Sequence, residues 1–456
     1  MRATFTSELP ERYPLRLPID TRLTPLGDEV RVMAHLHGGF VAAQDDGNPA
    51  VTPLGWGFGE TQTVYYPNEP EHNPAAMMWF HDHGLGATRL NVVAGLAAGY
   101  LIRDEHDTGL EPNPIGLPGG AYEIPLVIQD RQINADGTIR YPVSDIPGSV
   151  WVGEYFGDVM LVNGKVWPYV DVEPRLYRLR ILNGCNARIL NLAMGGARMW
   201  QIGAEGGLWD RPVSVTNLVL APAERADVVV DFRPLAGKAF TVRNMPLPRP
   251  VVSPASPLIP VMQVRVASAV TTPGPASVPS SLPGRMASLP GASRTRFLPL
   301  NEVGAEGPDW RLNIGGAGFG QLSSPDQPVT GTVEDWVYVN LTEDTHPLHT
   351  HLFTHQVVGR TPFDAEAYQA DHAGPDGVAA GIDPTPYATG PMQLAAPEER
   401  GFKDTTKANP GFFTSIRGRF DLPAGVTGPQ TYVHHCHILE HEDNDMMQPF
   451  TVVPEA

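Results

Sequence analysis

The sequence predicts an all-β protein assembled from several modules, on the strength of its composition, its residue alternation and its length. Gly and Pro contribute 47 residues each while charged residues make up only 18% of the chain, a turn-rich composition that disfavours helical bundles and disorder. Segments alternate with period 2. In YRLRI, Tyr177, Leu179 and Ile181 share one face and Arg178 and Arg180 the other, and in VVVDF, Val228, Val230 and Phe232 repeat the pattern. Both read as half-buried strands of an antiparallel sheet. A length of 456 residues leaves room for two to four domains. Helices are expected to be few and short, with PFDAEAYQADH (362 to 372) one candidate.

Taken along the chain, a first boundary falls near 105 to 120, where RDEHDTGLEPNPIGLPGG separates an apolar strand ending at Ile102 from the run IPLVIQD. From about 244 to 295 the composition turns Pro/Ser/Ala-rich, interrupted by VMQVRV, which reads as the last strand of the preceding domain. The second Pro-rich stretch, 271 to 290, reads as an interdomain linker. The formal net charge of -18 and a pI near 5.2 argue against nucleic acid and anionic membrane surfaces, which attract basic patches. Small organic or cationic partners fit better. The first residues, MRATFTSELPERYPLRLP, show no export signal, and no apolar run is long enough to span a membrane. The two cysteines, Cys185 and Cys436, allow one disulfide at most. The compartment is left open, and a monomer is expected.

Chemistry is concentrated in the histidines. Ten of the 15 fall in four motifs: HLHG (His35, His37), HDH (His81, His83), HPLHTH (His346, His349, His351) and HCHILEH (His435, His437, His441). In a strand, residues i and i+2 point to the same face, so each H-x-H pair presents two imidazoles side by side. Four such pairs give eight convergent imidazoles, the number a three-copper cluster needs. Cys436 lies between His435 and His437, so alternation sends its sulfur to the opposite face, and one strand touches two metal sites. A thiolate with two histidines and a weak axial methionine is the ligand set of a blue electron-transfer copper. His346, Cys436 and His441 supply the strong ligands, and Met446 stands at the axial position. An electron arriving there passes through Cys436 and the backbone to His435 and His437. Zinc is disfavoured, because a mononuclear tetrahedral site consumes four ligands and leaves the rest unexplained. A hydrolase triad fails because Cys436 has no single orienting base.

At these residues the chain resembles the bacterial three-domain multicopper oxidases, in the group of spore-coat laccases, bilirubin oxidases and phenoxazinone synthases. The resemblance rests on WFHDHGLGATRLNVVAGLAAGY (79 to 100), LVNGKVWPYVDVEPRLYRLRILN (161 to 183), LAPAERADVVVDF (220 to 232), HPLHTHLF (346 to 353) and HCHILEHEDNDMM (435 to 447). It implies three cupredoxin-like Greek-key β-sandwich domains, at 1–110, 111–270 and 291–456. It also implies four copper ions per chain: one type 1 in the third domain, with one type 2 and two type 3 between the first and third. By that likeness His35 and His349 bind the type 2 ion. His37, His81, His83, His351, His435 and His437 bind the type 3 pair. Glu442 and Asp46 align with the family's acidic residues, which are expected to relay protons to O2.

The family carries a substantial segment before HLHG, whereas 34 residues precede His35 here. The first domain is therefore expected to lack early strands and to expose a sheet edge.

The expected reaction is one-electron oxidation of phenols, aminophenols, aryl amines or tetrapyrrole-like compounds coupled to reduction of O2 to water, with the donor docking near His346 or His441, the type 1 histidines expected nearest the surface. Two alternatives stand beside it: a metallo-oxidase for Cu(I) or Fe(II), and a coat or structural protein with vestigial copper sites. The 13 methionines form no Met-rich insert of the kind a thioether Cu(I) site needs. Cys185 reads as a buried thiol. His72, His106, His355, His372 and His434 lie outside the ligand spacing and read as solvent or hydrogen-bonding histidines, with His434 placed to tune its neighbour.

Overall fold

The computed structural model describes residues 1–14, 17–255, 258–284, 286–319 and 326–455. Strands dominate, and the α-helices among these residues are short: Thr88–Ala94, Ala365–His372 and Leu439–Asp443. The second matches the sequence candidate; Asp364 caps it by accepting from the Ala367 N–H.

The middle of the chain folds as an eight-stranded sheet facing a five-stranded one. Their apolar faces meet in a core that takes Leu126, Ile128, Ile181 and Val228 from the first sheet and Leu190, Leu192, Val242 and Val264 from the second. VMQVRV lies in strand Pro260–Val266, which pairs with Tyr169–Val172 and Ala239–Asn244 and so closes the smaller sheet. Near the C-terminus a six-stranded and a four-stranded sheet enclose a second core. That core contains Leu298, Trp336, Tyr338, Ile416 and Phe450, and also Cys436 and Met446. The N-terminal part supplies a three-stranded sheet, Ala34–His37, Met77–Asp82 and Ala97–Leu101, and a two-stranded pair of Arg2–Thr6 with Thr61–Tyr65. Leu36, Val64, Tyr66 and Met78 pack between them.

One expectation is corrected. Strands Leu176–Asn183 and Arg225–Asp231 alternate as predicted but are buried along their whole length, arginines included. Arg178 is 0% and Arg180 1% exposed. The alternation survives because the polar face is neutralised rather than solvated. Arg178 forks onto Asp107 (2.8 Å to each oxygen) and onto Asp227. Arg180 reaches Asp107 at 2.7 Å and also pairs with Glu123. A buried guanidinium needs such partners, because stripping its water without replacing the hydrogen bonds costs several kcal/mol.

The N-terminal helix is fixed at both ends. Helix Thr88–Ala94 stops at Gly95, whose φ of 115° lies in the left-handed region that favours glycine. At its start, Asp443 accepts the Thr88 and Arg89 N–H groups at 3.0 Å each, which anchors helix Leu439–Asp443 to the N-terminal part.

Replacing Asp107 by Ala leaves two buried guanidiniums short of a partner. We expect a loss of about 3 kcal/mol, read as a lower denaturation midpoint, and a smaller loss for Asp107→Asn.

Candidate metal centre

Strand pairing brings the histidine motifs together. Antiparallel register sets His35 beside His81 in the N-terminal sheet, and His349 beside His435 in the four-stranded C-terminal sheet. His83, His351 and His437 each stand just beyond a strand end. Their rings still turn toward the i−2 partner, with centroids 6.0, 4.9 and 5.6 Å apart. The two sheets meet with His35 stacked on His351 at 3.9 Å and His37 on His349 at 3.6 Å.

The ring nitrogens gather into three groups of metal-binding spacing, His35/His37/His349, His37/His81/His437 and His83/His351/His435, with ligand atoms within 4.8 Å of one another. Most of the outward nitrogens have a fixed partner. His35 Nδ1 donates to the Asp46 carbonyl (2.7 Å), His81 Nδ1 to the Asp82 carbonyl (2.8 Å) and His349 Nδ1 to the Asp404 carbonyl (2.9 Å). His351 Nδ1 donates to Asp46 Oδ2 at 2.7 Å. His37 is turned the other way, giving Nε2 to Asp404 Oδ1 (3.1 Å) and Nδ1 to the interior. His435 Nδ1 likewise donates to the Cys436 carbonyl (3.0 Å), so the unprotonated Nε2 atoms of His351 and His435 face each other at 3.3 Å, and His83 Nε2 lies 3.3 Å from that of His435. The Nε2 atoms of His35 and His349 have no hydrogen-bond partner. Buried polar atoms are normally satisfied, so inward lone pairs without donors fit a bound cation.

Burial, reinforced by neighbouring imidazoles, pushes His37, His81, His83, His349 and His437 well below the ordinary histidine range. Burial also brings His351 down to about 3, against the opposing pull of Asp46. These rings are neutral at neutral pH, the form in which imidazole binds a metal.

Cys436 lies opposite, as its strand position requires. Its Sγ is 3.3 Å from His346 Nδ1 and 3.8 Å from His441 Nδ1, and the two nitrogens are 3.3 Å apart. Met446 is buried beside them; its carbonyl accepts the Cys436 N–H and its own N–H donates to the His441 carbonyl, both at 2.9 Å. Burial pushes the Cys436 thiol up and holds His346 down to about 3. The residues present therefore suit a soft cation that takes a thiolate and two neutral imidazoles.

His346 and His441, expected nearest the surface, are 0% and 1% exposed. His346 Nε2 is closed off by Thr342 Oγ1 at 2.6 Å, and His441 by the edge of Trp310, with centroids 6.1 Å apart. Glu442 reaches both sides of one histidine group, its carboxylate oxygens 3.3 Å from His83 Nδ1 and 3.2 Å from His435 Nδ1. Cys185 is a buried free thiol. His355 and His434 are buried rather than solvated, bonded to Thr350 and Thr406 and to Tyr338 respectively. Sequence reasoning missed Asp404, which touches two of the clustered histidines from a segment, FKDTT, without a histidine or cysteine to flag it.

A β-sandwich assembly in which one strand joins a cysteine site to a cluster of eight histidines defines a class of metal-dependent oxidoreductase. Residues 154–253 and 301–456 match two different family models, both described as multicopper oxidase. Among curated relatives, a laccase of Bacillus subtilis (strain 168) is 36% identical over 446 residues, covering 93% of this chain and 80% of its own. Multicopper oxidase LPR1 homolog 3 of Oryza sativa subsp. japonica is 36% identical over 498 residues, covering 99% and 90%. Among solved structures, the McoA multicopper oxidase of Aquifex aeolicus superposes with a TM-score of 0.74 at 28% identity, over 92% of this chain and 84% of that one. The chain belongs to the multicopper oxidase family. It is a laccase-like oxidoreductase that uses copper, O2 and a small-molecule donor, built on cupredoxin-like domains.

Asp46→Asn removes the charge that holds His351 and leaves the His35 contact to the backbone. Copper affinity at the His83/His351/His435 group should fall roughly 10- to 100-fold, measured as copper retained per chain against a chelator.

Proposed function

We propose that the protein takes single electrons from phenolic, aminophenolic, aryl amine or tetrapyrrole-like donors and passes them to O2, with four copper ions held by the cysteine site and the histidine cluster. His346, Cys436, His441 and Met446 hold the type 1 ion. His35 and His349 hold the type 2 ion, and His37, His81, His83, His351, His435 and His437 the type 3 pair. Copper, when bound, supplies one-electron oxidation at the first site and four-electron reduction of O2 to water at the cluster. The observation that carries this reading is the single strand in which the Cys436 sulfur meets His346 and His441 while the neighbouring His435 and His437 belong to two other histidine groups.

The protein's own atoms do the rest. The donor docks outside the buried type 1 histidines and gives up its electron without becoming a ligand, through the layer that includes Trp310. From Cys436 the route to the cluster is short and covalent, through the backbone to the adjoining rings; the Cys436 carbonyl also accepts from His435 Nδ1 at 3.0 Å. Glu442 and Asp46, each against ligand histidines, hold and move the protons that reduction of O2 consumes.

The test is copper quantification and a visible spectrum on the full chain, followed by oxygen uptake with a panel of phenols and with Cu(I) and Fe(II). We expect intense blue absorbance and uptake with the organic donors; a colourless protein, or turnover with metal ions alone, overturns the reading. Cys436→Ser should abolish the blue band and donor oxidation while copper remains at the histidine cluster. Glu442→Gln should lower turnover with O2 by about 100- to 10,000-fold at full copper content, and unchanged oxygen uptake would remove Glu442 from proton delivery.

A further inference from the structure

The middle sandwich contributes none of the copper ligands, yet its LAPAERADVVVDF segment ends one side chain against the cluster. We propose that Arg225 and Asp404 form a positioning pair that sets the His37 and His349 face of the histidine cluster, and through it the type 2 copper site. This rests on the proposed copper assignment.

Arg225 is 2% exposed and meets Asp404, 1% exposed, end on: Nη1 to Oδ1 at 2.8 Å and Nη2 to Oδ2 at 2.6 Å. A two-pronged guanidinium–carboxylate contact fixes the carboxylate plane as well as its place. Asp404 then spends its remaining acceptors on two clustered histidines. Oδ1 accepts from His37 Nε2 at 3.1 Å, which leaves the His37 Nδ1 lone pair directed inward, and the backbone carbonyl accepts from His349 Nδ1 at 2.9 Å, which leaves Nε2 directed inward. Thr405, beside His349 in the strand register, adds Oγ1 donation to Asp404 Oδ1 at 3.0 Å. Thr405 Oγ1 also lies 3.2 Å from His37 Nε2 and 3.4 Å from His349 Nδ1, so the tautomers of both rings depend on Asp404, through its carboxylate and its carbonyl, together with the hydroxyl that this carboxylate orients.

Arg225 is itself held from three directions. Its Nε donates to the carbonyl of Met77, at the start of the strand that carries His81, and Nη1 to the carbonyl of Ala223, at 3.1 and 3.0 Å, while its backbone N–H donates to Glu205 at 2.9 Å. The side chain thus spans the N-terminal sheet, the middle sandwich and the C-terminal sheet. The glycine after His37 records the same constraint. A Cβ on Gly38 would lie 2.7 Å from Asp404 Oδ2 and 3.0 Å from Arg225 Nη2, at a φ of +87° that already favours glycine. HLHG needs its glycine because the pair occupies the space.

The experiment loads copper into the full-length wild type and into Asp404→Asn, Arg225→Ala, Arg225→Lys and Lys407→Met. Lys407 pairs with Glu224 of the middle sandwich at 2.7 Å, so it controls for a weakened junction. Readouts are copper per chain, blue absorbance and the type 2 electron paramagnetic resonance signal. We expect Asp404→Asn and Arg225→Ala to keep the blue absorbance while copper affinity at the type 2 site falls roughly 10- to 100-fold and its resonance shifts or disappears. Arg225→Lys should recover part of it, and Lys407→Met should match the wild type. Unaltered type 2 signals in Asp404→Asn and Arg225→Ala overturn the proposal. So does loss of the blue band in step with the type 2 signal, or an equal effect of Lys407→Met, since either marks general loosening of the junction. A wild type that takes up no copper sinks the copper assignment itself, whereas a fully loaded wild type with unaffected variants sinks only the pair.

Discussion

Unprotonated imidazole nitrogens crowded in a buried interior repel one another, and the rest of the structure is organised around holding them there. Nitrogens 3.3 Å apart with their protons held on the far side of both rings, as at His351 and His435, are unfavourable until a cation sits among them. The protein keeps the arrangement by occupying the opposite edge of the rings. Carbonyls of Asp46, Asp82 and Asp404 and the carboxylates of Asp46 and Asp404 take the outward N–H groups. The inward lone pairs are thereby set by groups that never approach the interior of the cluster.

That requirement explains why the charged groups sit where the sandwiches meet. A buried ion pair adds little net stability over an apolar pair, but a mismatched one leaves a bare charge and is costly. Lys403 with Glu205 and Glu224, Lys407 with Glu224, and Arg225 with Asp404 all join the middle sandwich to the C-terminal one. Asp443 joins the helix of His441 to the N-terminal helix. Ligands drawn from both ends of the chain must converge within a few ångströms. Junctions that tolerate only one register serve this better than apolar surfaces, which can slide.

The legible part of the site is the part written locally. His35 and His37, or His435, Cys436 and His437, declare their geometry through alternation alone, and the pairing of His346 and His441 with Cys436 follows from ligand chemistry. Strand character in YRLRI and VVVDF was equally legible. What was not legible depends on contacts far apart in the chain. Arg178 and Arg180 look like a solvated face until Asp107 and Glu123 are brought beside them. Asp404 lies 367 positions from His37, and no spacing rule links them. The burial of His346 and His441 was missed for a related reason: their cover, Thr342 and Trp310, comes from neighbouring segments whose own sequences carry no metal motif.

That cover has a consequence for specificity. Under the proposed assignment of His346 and His441 to the type 1 ion, their burial keeps a donor out of the ligand sphere, and selection falls to the outer surface over Trp310. Trp310 is half-buried, stacks on Trp151 with centroids 5.5 Å apart and planes 6° from parallel, and meets the His441 ring edge to face. For the aromatic donors of the proposed function, an indole at this place offers a stacking contact next to His441. The chemistry at the metal can therefore stay fixed while the choice of donor changes with a few surface residues. This is why the motifs reveal the reaction more readily than the substrate.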